Sequence, residues 1–309
     1  MTVRNGAASG GSNQPGTVWV NGRLEPADKA LLTVADRGFQ VGDGIFETLL
    51  VVGGRVLELG LHVSRLRASA VILALPLPDD LGRVLGQAIE DLCRVNGLDG
   101  SGSRVAIRVT VSRGAVDGRS LLPPDHVSPN VVVQAWPVRP PPAELLGRGV
   151  RLAISGVRRD PASPLATVKT TSRAEFVYAQ IDARRRGADD ALFMTTDGHL
   201  AEASSASIFL VGERGLSTPS LDCGILVSTT REWVISSGGP ELGIAVLQEH
   251  LTAEDLFAAD EAFLASSVAG ILPITTVDGR PIGTGAPGSL TLSLRELRLK
   301  ASAGRPSPG

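Results

Sequence analysis

Lysine is almost absent from this 309-residue chain, which has only Lys29, Lys169 and Lys300 against 27 arginines. Arginine can solvate a surface, but its guanidinium does not deprotonate in proteins and cannot form a Schiff base. Lys169 is therefore the only candidate for such chemistry between residues 30 and 299. Cysteine is nearly as scarce. Cys93 and Cys223 make neither a disulfide framework nor a zinc motif, so a reducing, cytoplasmic setting is expected. Aromatics are 4% of the chain, with one tyrosine. The net charge of −2 gives no electrostatic case for nucleic acid or an anionic membrane. No apolar run approaches the ~20 residues of a membrane span. Walker loops, a G-x-G-x-x-G between strand and helix, internal repeats and metal-spaced clusters are all missing, so no metal site is expected. The four histidines are scattered, and none accompanies a Ser or Cys motif.

What remains is an ordinary soluble composition, 43% hydrophobic and 20% charged, with 36 glycines that predict many turns. The length favours two domains. Residues 1–16 are small and polar and read as a flexible extension, and 301–309 as a loose tail. Pro137 to Pro142 marks a stiff linker, placed at 137–149, between a small domain (17–136) and a large one (150–300).

In the first half, Asp36 to Gly44 reads as a glycine-rich loop feeding a strand from Ile45 to Val52. Alternation puts Phe46, Thr48 and Leu50 on one face and Ile45, Glu47 and Leu49 on the other. A helix over Leu61–Leu73 carries Leu66, Ala70 and Leu73 as its stripe, with Arg65 beside it, able to reach an anion at the core's edge. Asp79-Asp80 opens a second helix with Leu81, Val84, Leu85, Ala88, Ile89 and Leu92 at helical spacing. Strands follow at Val105–Val111 and Asn130–Trp136, separated by a loop carrying Arg113 and Arg119.

In the second half, Lys169 ends an extended apolar segment. Ser172 and Glu175 form the pattern of a capping box, with Ala174, Val177, Tyr178 and Ile181 as the apolar stripe of the helix behind it. Glu202 precedes a small-residue run beside apolar strands, where a carboxylate is expected to be buried and to need a partner. Thr229 and Glu232 form a second capping pattern, whose free N–H groups and hydroxyls would receive an anion. Ser266-Ser267 adds hydroxyls after a strand from Ala262, and Ser289–Lys300 closes the chain as a helix. Each residue has an ordinary structural reading by itself. Together, a lone lysine, a buried acid, an arginine and a hydroxyl-rich helix start are what pyridoxal phosphate requires: an amine for the aldehyde, a carboxylate for the ring nitrogen, and donors for the phosphate.

In these segments the chain resembles the class IV aminotransferases, the fold-type IV pyridoxal phosphate enzymes. That family includes branched-chain and D-amino acid aminotransferases, (R)-selective amine transaminases and aminodeoxychorismate lyase. The resemblance runs from about Val18 to Leu297. It is carried by Asp36-Arg37-Gly38 through Phe46-Glu47-Thr48, His62 to Leu66, Lys169-Thr170, Gly187 to Leu192, Asp197-Gly198 to Glu202, Thr229 to Glu232 and Asp260 to Phe263. It implies a two-domain α+β/α/β fold of the D-amino acid aminotransferase type, a homodimer, and pyridoxal 5'-phosphate as cofactor. Lys169 resembles the Schiff-base lysine and Glu202 the partner of the pyridine nitrogen. Arg65, Thr229, Thr230 and Ser267 resemble the phosphate ligands.

The departures bear on substrate. Ser207 stands where many members have Asn, and Val227-Ser228 where Pro-Gly is usual. Ala174 replaces the tyrosine of branched-chain enzymes, and Phe46 a tyrosine of some members, which argues against a standard branched-chain enzyme. Arg119, after Gly118, is the candidate for the carboxylate-binding arginine of D-amino acid aminotransferases and aminodeoxychorismate lyases. Phe46, Thr48, Arg119 and Ala174 are thus the expected substrate residues. The implied reaction is amino transfer between an amino acid, D-amino acid or (R)-amine and a 2-keto acid, with pyruvate elimination by the lyase as the alternative.

Overall fold

The computed structural model describes residues 16–304, so most of the expected N-terminal extension and positions 305–309 lie outside the described residues. Two sheets organise the rest. A six-stranded sheet forms from Thr17–Val20, Arg23–Pro26, Gly44–Val52, Arg55–Val56, Arg104–Ser112 and Asn130–Pro137. Gly44–Val52 and Arg104–Ser112 pair antiparallel over their full length, with Thr48 opposite Arg108. A nine-stranded sheet forms from strands between Val150 and Pro281 and mixes parallel and antiparallel pairs.

The first core follows the periodicities closely. Leu81–Val95 buries Leu81, Leu85, Ala88, Ile89 and Leu92, the positions that recur at helical spacing. They pack on Val105, Ile107, Val109 and Val111, the inward half of an alternating strand. Burial of each such Leu or Ile contributes about 1.5–3 kcal/mol. The second half divides among three clusters, around Leu192, Ile208 and Leu264, around Phe176, Phe193 and Ile225, and around Phe209, Phe263 and Leu294.

Several expectations shift. The glycine-rich loop contains a short helix, Arg37–Val41, capped by the Asp36 carboxylate on the Gly38 N–H at 2.8 Å. The interval 137–149 is not wholly irregular: Pro137 ends a strand, and Ala143–Arg148 is a helix with Pro142 at its N-cap. Prolines are excluded from helix interiors but compatible with their starts. The closing helix runs Ser289–Ala303, so 301–303 are helical, with the Ser302 hydroxyl bonded to the Arg298 carbonyl.

The helix after Lys169, Ala174–Arg185, forms without the expected capping box. Arg173 is the N-cap and makes no side-chain cap bond. The Ser172 hydroxyl instead donates to the Gly42 carbonyl, and Glu175 accepts from Arg159 at 3.0 Å. Tertiary partners take both side chains of the local motif. The buried face is also rotated: Phe176, Ala179 and Ala183 point inward, with Phe176 packed 5.0 Å from Phe193, while Val177, Tyr178 and Ile181 are exposed. The helix at the second capping motif is Thr229–Trp233, and its cap is Ser228, whose hydroxyl accepts from the Arg231 N–H at 3.3 Å. A π-helical stretch, Val234–Gly238, continues it.

The loop after Arg104–Ser112 is built on arginines. Arg113 is buried, binds Asp43 at 2.7 Å and caps the carbonyls of Leu73 and Ala74, so its role is structural. Arg37 donates to the carbonyls of Ser120 and Leu121, which tethers the Arg119 segment. Gly114 makes the turn possible. Its φ is +91°, and a Cβ there would strike the Ser128 carbonyl. Gly114→Ala is expected to destabilise the protein by about 1–3 kcal/mol, measured by urea unfolding; an unchanged midpoint would show that the loop relaxes freely.

Candidate active site

Lys169 does not hang from the end of a strand. Its carbonyl accepts from the Phe46 N–H at 2.9 Å, and the Thr171 N–H donates to the Gly44 carbonyl at 2.9 Å. A β-bridge joins Ile45 to Thr170. The lysine backbone is thus stitched to the six-stranded sheet, while its neighbours lead into the nine-stranded one. The amine points into a cavity of about 830 Å³ lined by Phe46, Thr48, Arg65, Glu202, Ser228 and Ser267, among others. Lys169 keeps partial exposure because it faces this open space.

The amine has no carboxylate partner among the described residues, unlike Lys300, which pairs with Glu296 at 2.7 Å. Burial, with the nearby Arg65 cation, pushes the Lys169 ammonium down to about 8, against the opposing pull of Glu47. A strongly basic amine becomes one with an appreciable neutral fraction near neutral pH.

Glu202 lies in the strand Leu200–Ala203, every residue of which is buried. Its carboxylate accepts from the Leu226 N–H at 3.3 Å and lies 3.7 Å from Arg159. Burial raises the Glu202 carboxyl, and Arg159, Lys169 and the Leu226 N–H oppose that shift only in part. A protonated ring nitrogen placed against it would stabilise the anion.

The far end of the cavity gathers hydroxyls, an arginine and a helix start. The Thr229 hydroxyl lies 3.2 Å from the Ser267 hydroxyl and 3.5 Å from His62 Nε2. Thr230 is fully buried, and its hydroxyl has no partner. Arg65 donates to the Val227 carbonyl at 2.8 Å, next to the helix start. Arg65 is held by Glu47, at 2.7 and 2.5 Å, and His62 holds the same carboxylate at 2.7 Å. Burial works against the Glu47 anion, but hydrogen bonds from Arg65 and His62 outweigh it and hold its carboxyl down at about 2.

The expected site residues therefore divide. Lys169, Arg65, Glu202, Ser267, Phe46 and Thr48 line one cavity, with Thr229 immediately behind it. Ala174 and Arg119 do not line it. Ala174 is exposed at the helix start, and Arg119 is exposed on a loop tip. Two arginines that the sequence reading passed over take the wall instead. Arg108 stacks on Phe46 at 3.6 Å, and Arg173 stacks on Phe176 at 3.1 Å and donates to the Ser204 carbonyl at 2.9 Å. Burial lowers Arg173 to about 10, against the pull of Glu202, so it stays cationic at neutral pH. Both left a trace in the sequence: Arg108 is a charge in mid-strand, and Arg173 is a cation at a helix N-terminus, where the dipole opposes it. Val177, Ile181 and Arg184 form part of the same cavity's lining, which explains why the apolar stripe faces outward.

A partly exposed lysine, a buried acid, and hydroxyls beside an arginine meet at one cavity, a donor set suited to chemistry through an amine. Residues 44–277 match the family described as amino-transferase class IV, and the chain belongs to it. It is 34% identical over 281 residues to a Methanocaldococcus jannaschii protein provisionally named a branched-chain-amino-acid aminotransferase, covering 90% of this chain and 94% of that one. It is 26% identical over 284 residues to the D-alanine aminotransferase of Bacillus licheniformis, with 90% and 94% covered. It is 28% identical over 283 residues to the aminodeoxychorismate lyase of Bacillus subtilis, with 92% and 94% covered. Among solved structures, the Escherichia coli branched-chain aminotransferase superposes with a TM-score of 0.88 at 26% identity, covering 96% of this chain and 98% of that one. A second branched-chain aminotransferase, solved with pyridoxamine 5'-phosphate, gives 0.87 at 28% identity, with 95% and 96% covered. Class IV aminotransferases use pyridoxal phosphate, and the donor set here fits that group. An amine free of ion pairs and a buried carboxylate short of partners line the cavity with Arg65, Ser228 and Ser267, and the unpartnered Thr230 hydroxyl lies in the helix that Ser228 caps.

The Glu47 geometry makes a prediction with a definite sign. Its folded pKa lies below the unfolded value of 4.5, at about 2, so the stabilisation is fully present above pH 4.5 and is lost as pH falls toward 2. Glu47→Gln is expected to cost about 3 kcal/mol at neutral pH, with the deficit narrowing below pH 4.5 in denaturant unfolding. A deficit independent of pH would rule out the ionised carboxylate as its source. The Lys169 shift predicts that capture of added pyridoxal phosphate by the apoprotein rises through about pH 8. Below that point the rate should drop about tenfold per pH unit, followed by stopped-flow absorbance, as the neutral amine disappears.

Proposed function

We propose that the chain is a pyridoxal-phosphate-dependent aminotransferase acting between an amino acid or amine donor and a 2-keto acid. The observation that carries this reading is the Lys169 amine, enclosed without an ion-pair partner and lowered to about 8, in one cavity with Glu202 and Arg65. Arg65, Ser228, Thr229, Thr230 and Ser267 would hold the phosphate, Glu202 the ring nitrogen, and Lys169 the carbonyl carbon. When bound, the cofactor supplies an electron-withdrawing ring that makes the substrate Cα–H acidic. Lys169 Nζ would accept the Cα proton and deliver it to the cofactor carbon it had held, Glu202 would pair with the ring nitrogen, and Phe46 with Thr48 would shape the substrate side. Branched-chain L-amino acids, D-amino acids and (R)-amines are the donor classes to separate.

A second reading is the aminodeoxychorismate lyase reaction, which uses the same lysine and cofactor to eliminate pyruvate. The arginine wall of Arg108 and Arg173 favours it, because neither side chain is neutralised by a paired carboxylate and both suit a substrate carrying several anionic groups. A homodimer is proposed as the working form. Leu31, Val34, Phe39, Leu121 and Leu122 are exposed apolar side chains that a second copy would cover, and Arg119 lies beside the last two. The cytoplasm is the proposed location, on the two free buried cysteines; no helix among the described residues is long and apolar enough to cross a membrane.

The test is a set of single half-reactions on cofactor-loaded protein with D-alanine, L-leucine and (R)-1-phenylethylamine, followed by the visible absorbance of the lysine-bound cofactor. At least one donor should bleach that band, and Lys169→Ala should never develop it. If no donor bleaches it while the lyase assay yields 4-aminobenzoate, the second reading replaces the first. A covalent adduct retained by Lys169→Ala would show that the amine is misassigned.

A further inference from the structure

Folding brings together metal-binding donors that lie far apart in the chain. Asp222 and Cys223 end the short helical turn Leu221–Cys223, and His250 follows the strand Val246–Glu249. The parallel pairing of Gly215–Pro219 with Val246–Glu249 sets Pro219 opposite Glu249. The Ser220 N–H then bonds the Glu249 carbonyl at 3.0 Å, which holds the two turns level. As a result the Cys223 thiol, an Asp222 carboxylate oxygen and a His250 ring nitrogen all lie within 4.8 Å of one another. A third segment closes the group. The hairpin turn carrying Asp197 and His199 is tied down by the Leu200 N–H on the Leu251 carbonyl. The His199 ring sits 4.7 Å from that of His250, and its Nδ1 is 3.8 Å from Asp197.

Each half of this cluster has a plain reading. His250 and Asp222 form a hydrogen bond of 2.9 Å on the surface, and Cys223 packs in the core around Phe193 and Ile225. Neither reading accounts for the convergence. Two of the chain's four histidines and one of its two cysteines meet at one point, beside two aspartates that pair with no arginine or lysine among the described residues. Aspartates alone would suit magnesium or calcium, whereas a thiol with imidazole selects zinc and its borderline neighbours. Zinc ligands sit about 2.0–2.3 Å from the metal. The Asp222 and His250 side chains are exposed and the Cys223 thiol is buried.

We propose that Cys223, Asp222 and His250 bind a divalent ion of the zinc class, with His199 or water completing four-coordination. The Cys223 thiol releases its proton to solvent as the sulfur–metal bond forms. The ion is structural. Glu202 follows His199 by three residues, and Leu226, which donates to Glu202, follows Cys223 by three. A metal at the cluster therefore anchors both segments that position the buried carboxylate.

The experiment uses protein loaded with pyridoxal phosphate, stripped with chelator, then titrated calorimetrically with zinc chloride and assayed for bound metal after dialysis. Wild type and the distant Cys93→Ser are expected to retain a single zinc per chain. His250→Gln, at an exposed position that tolerates the change, and Cys223→Ser should bind more than about tenfold more weakly. Zinc should raise the thermal midpoint of wild type and leave that of His250→Gln unchanged. Wild type that retains no zinc overturns the proposal, as does equal retention by all variants, which would place the ion elsewhere.

Discussion

The pairing of the Lys169 segment with the Gly44–Val52 strand is the constraint on which the rest of the molecule depends. Two backbone bonds, from Phe46 to the Lys169 carbonyl and from Thr171 to the Gly44 carbonyl, join a residue of one half to a strand of the other. The same strand supplies Phe46 and Thr48 to the cavity and Glu47 to the core behind it. Side-chain alternation therefore makes one strand both the wall of the substrate side and the anchor of the anion side. The Lys169 backbone cannot shift without breaking its bonds to this strand.

Charge is distributed to match. The cation at the anion end is pinned: Arg65 by Glu47, and Glu47 in turn by His62. Such a network tolerates burial only because each member is satisfied. The two groups expected to change their bonding with cofactor, Lys169 and Glu202, are the ones left short of partners. Rigid support surrounds reactive groups held in reserve, which is the arrangement that holds a reacting amine and acid to a close tolerance.

Much of this was legible in the sequence, for a physical reason that differs by element. Leu81–Val95 and Arg104–Ser112 could be read because burial alone dictates their periods. Lys169 stood out because the composition left no competitor. The capping boxes misled because a local pattern says nothing about distant acceptors: Gly42 takes Ser172, and Arg159 takes Glu175. Ala174 and Arg119 were placed by resemblance to the family, which does not fix where a helix face or loop tip points. Arg108 and Arg173 were passed over, because no sequence pattern distinguishes a face turned to water from one turned to a second sheet.

The stacked Arg108 has a consequence for how the enzyme meets its surroundings. A guanidinium 3.6 Å from the centre of the Phe46 ring, with no paired carboxylate, leaves this part of the cavity wall positive before any ligand arrives. Small inorganic anions are then competitors as well as bystanders. Because exposed fields of this kind are screened over roughly 8 Å at physiological ionic strength, capture of an anionic keto acid becomes sensitive to the salt around it.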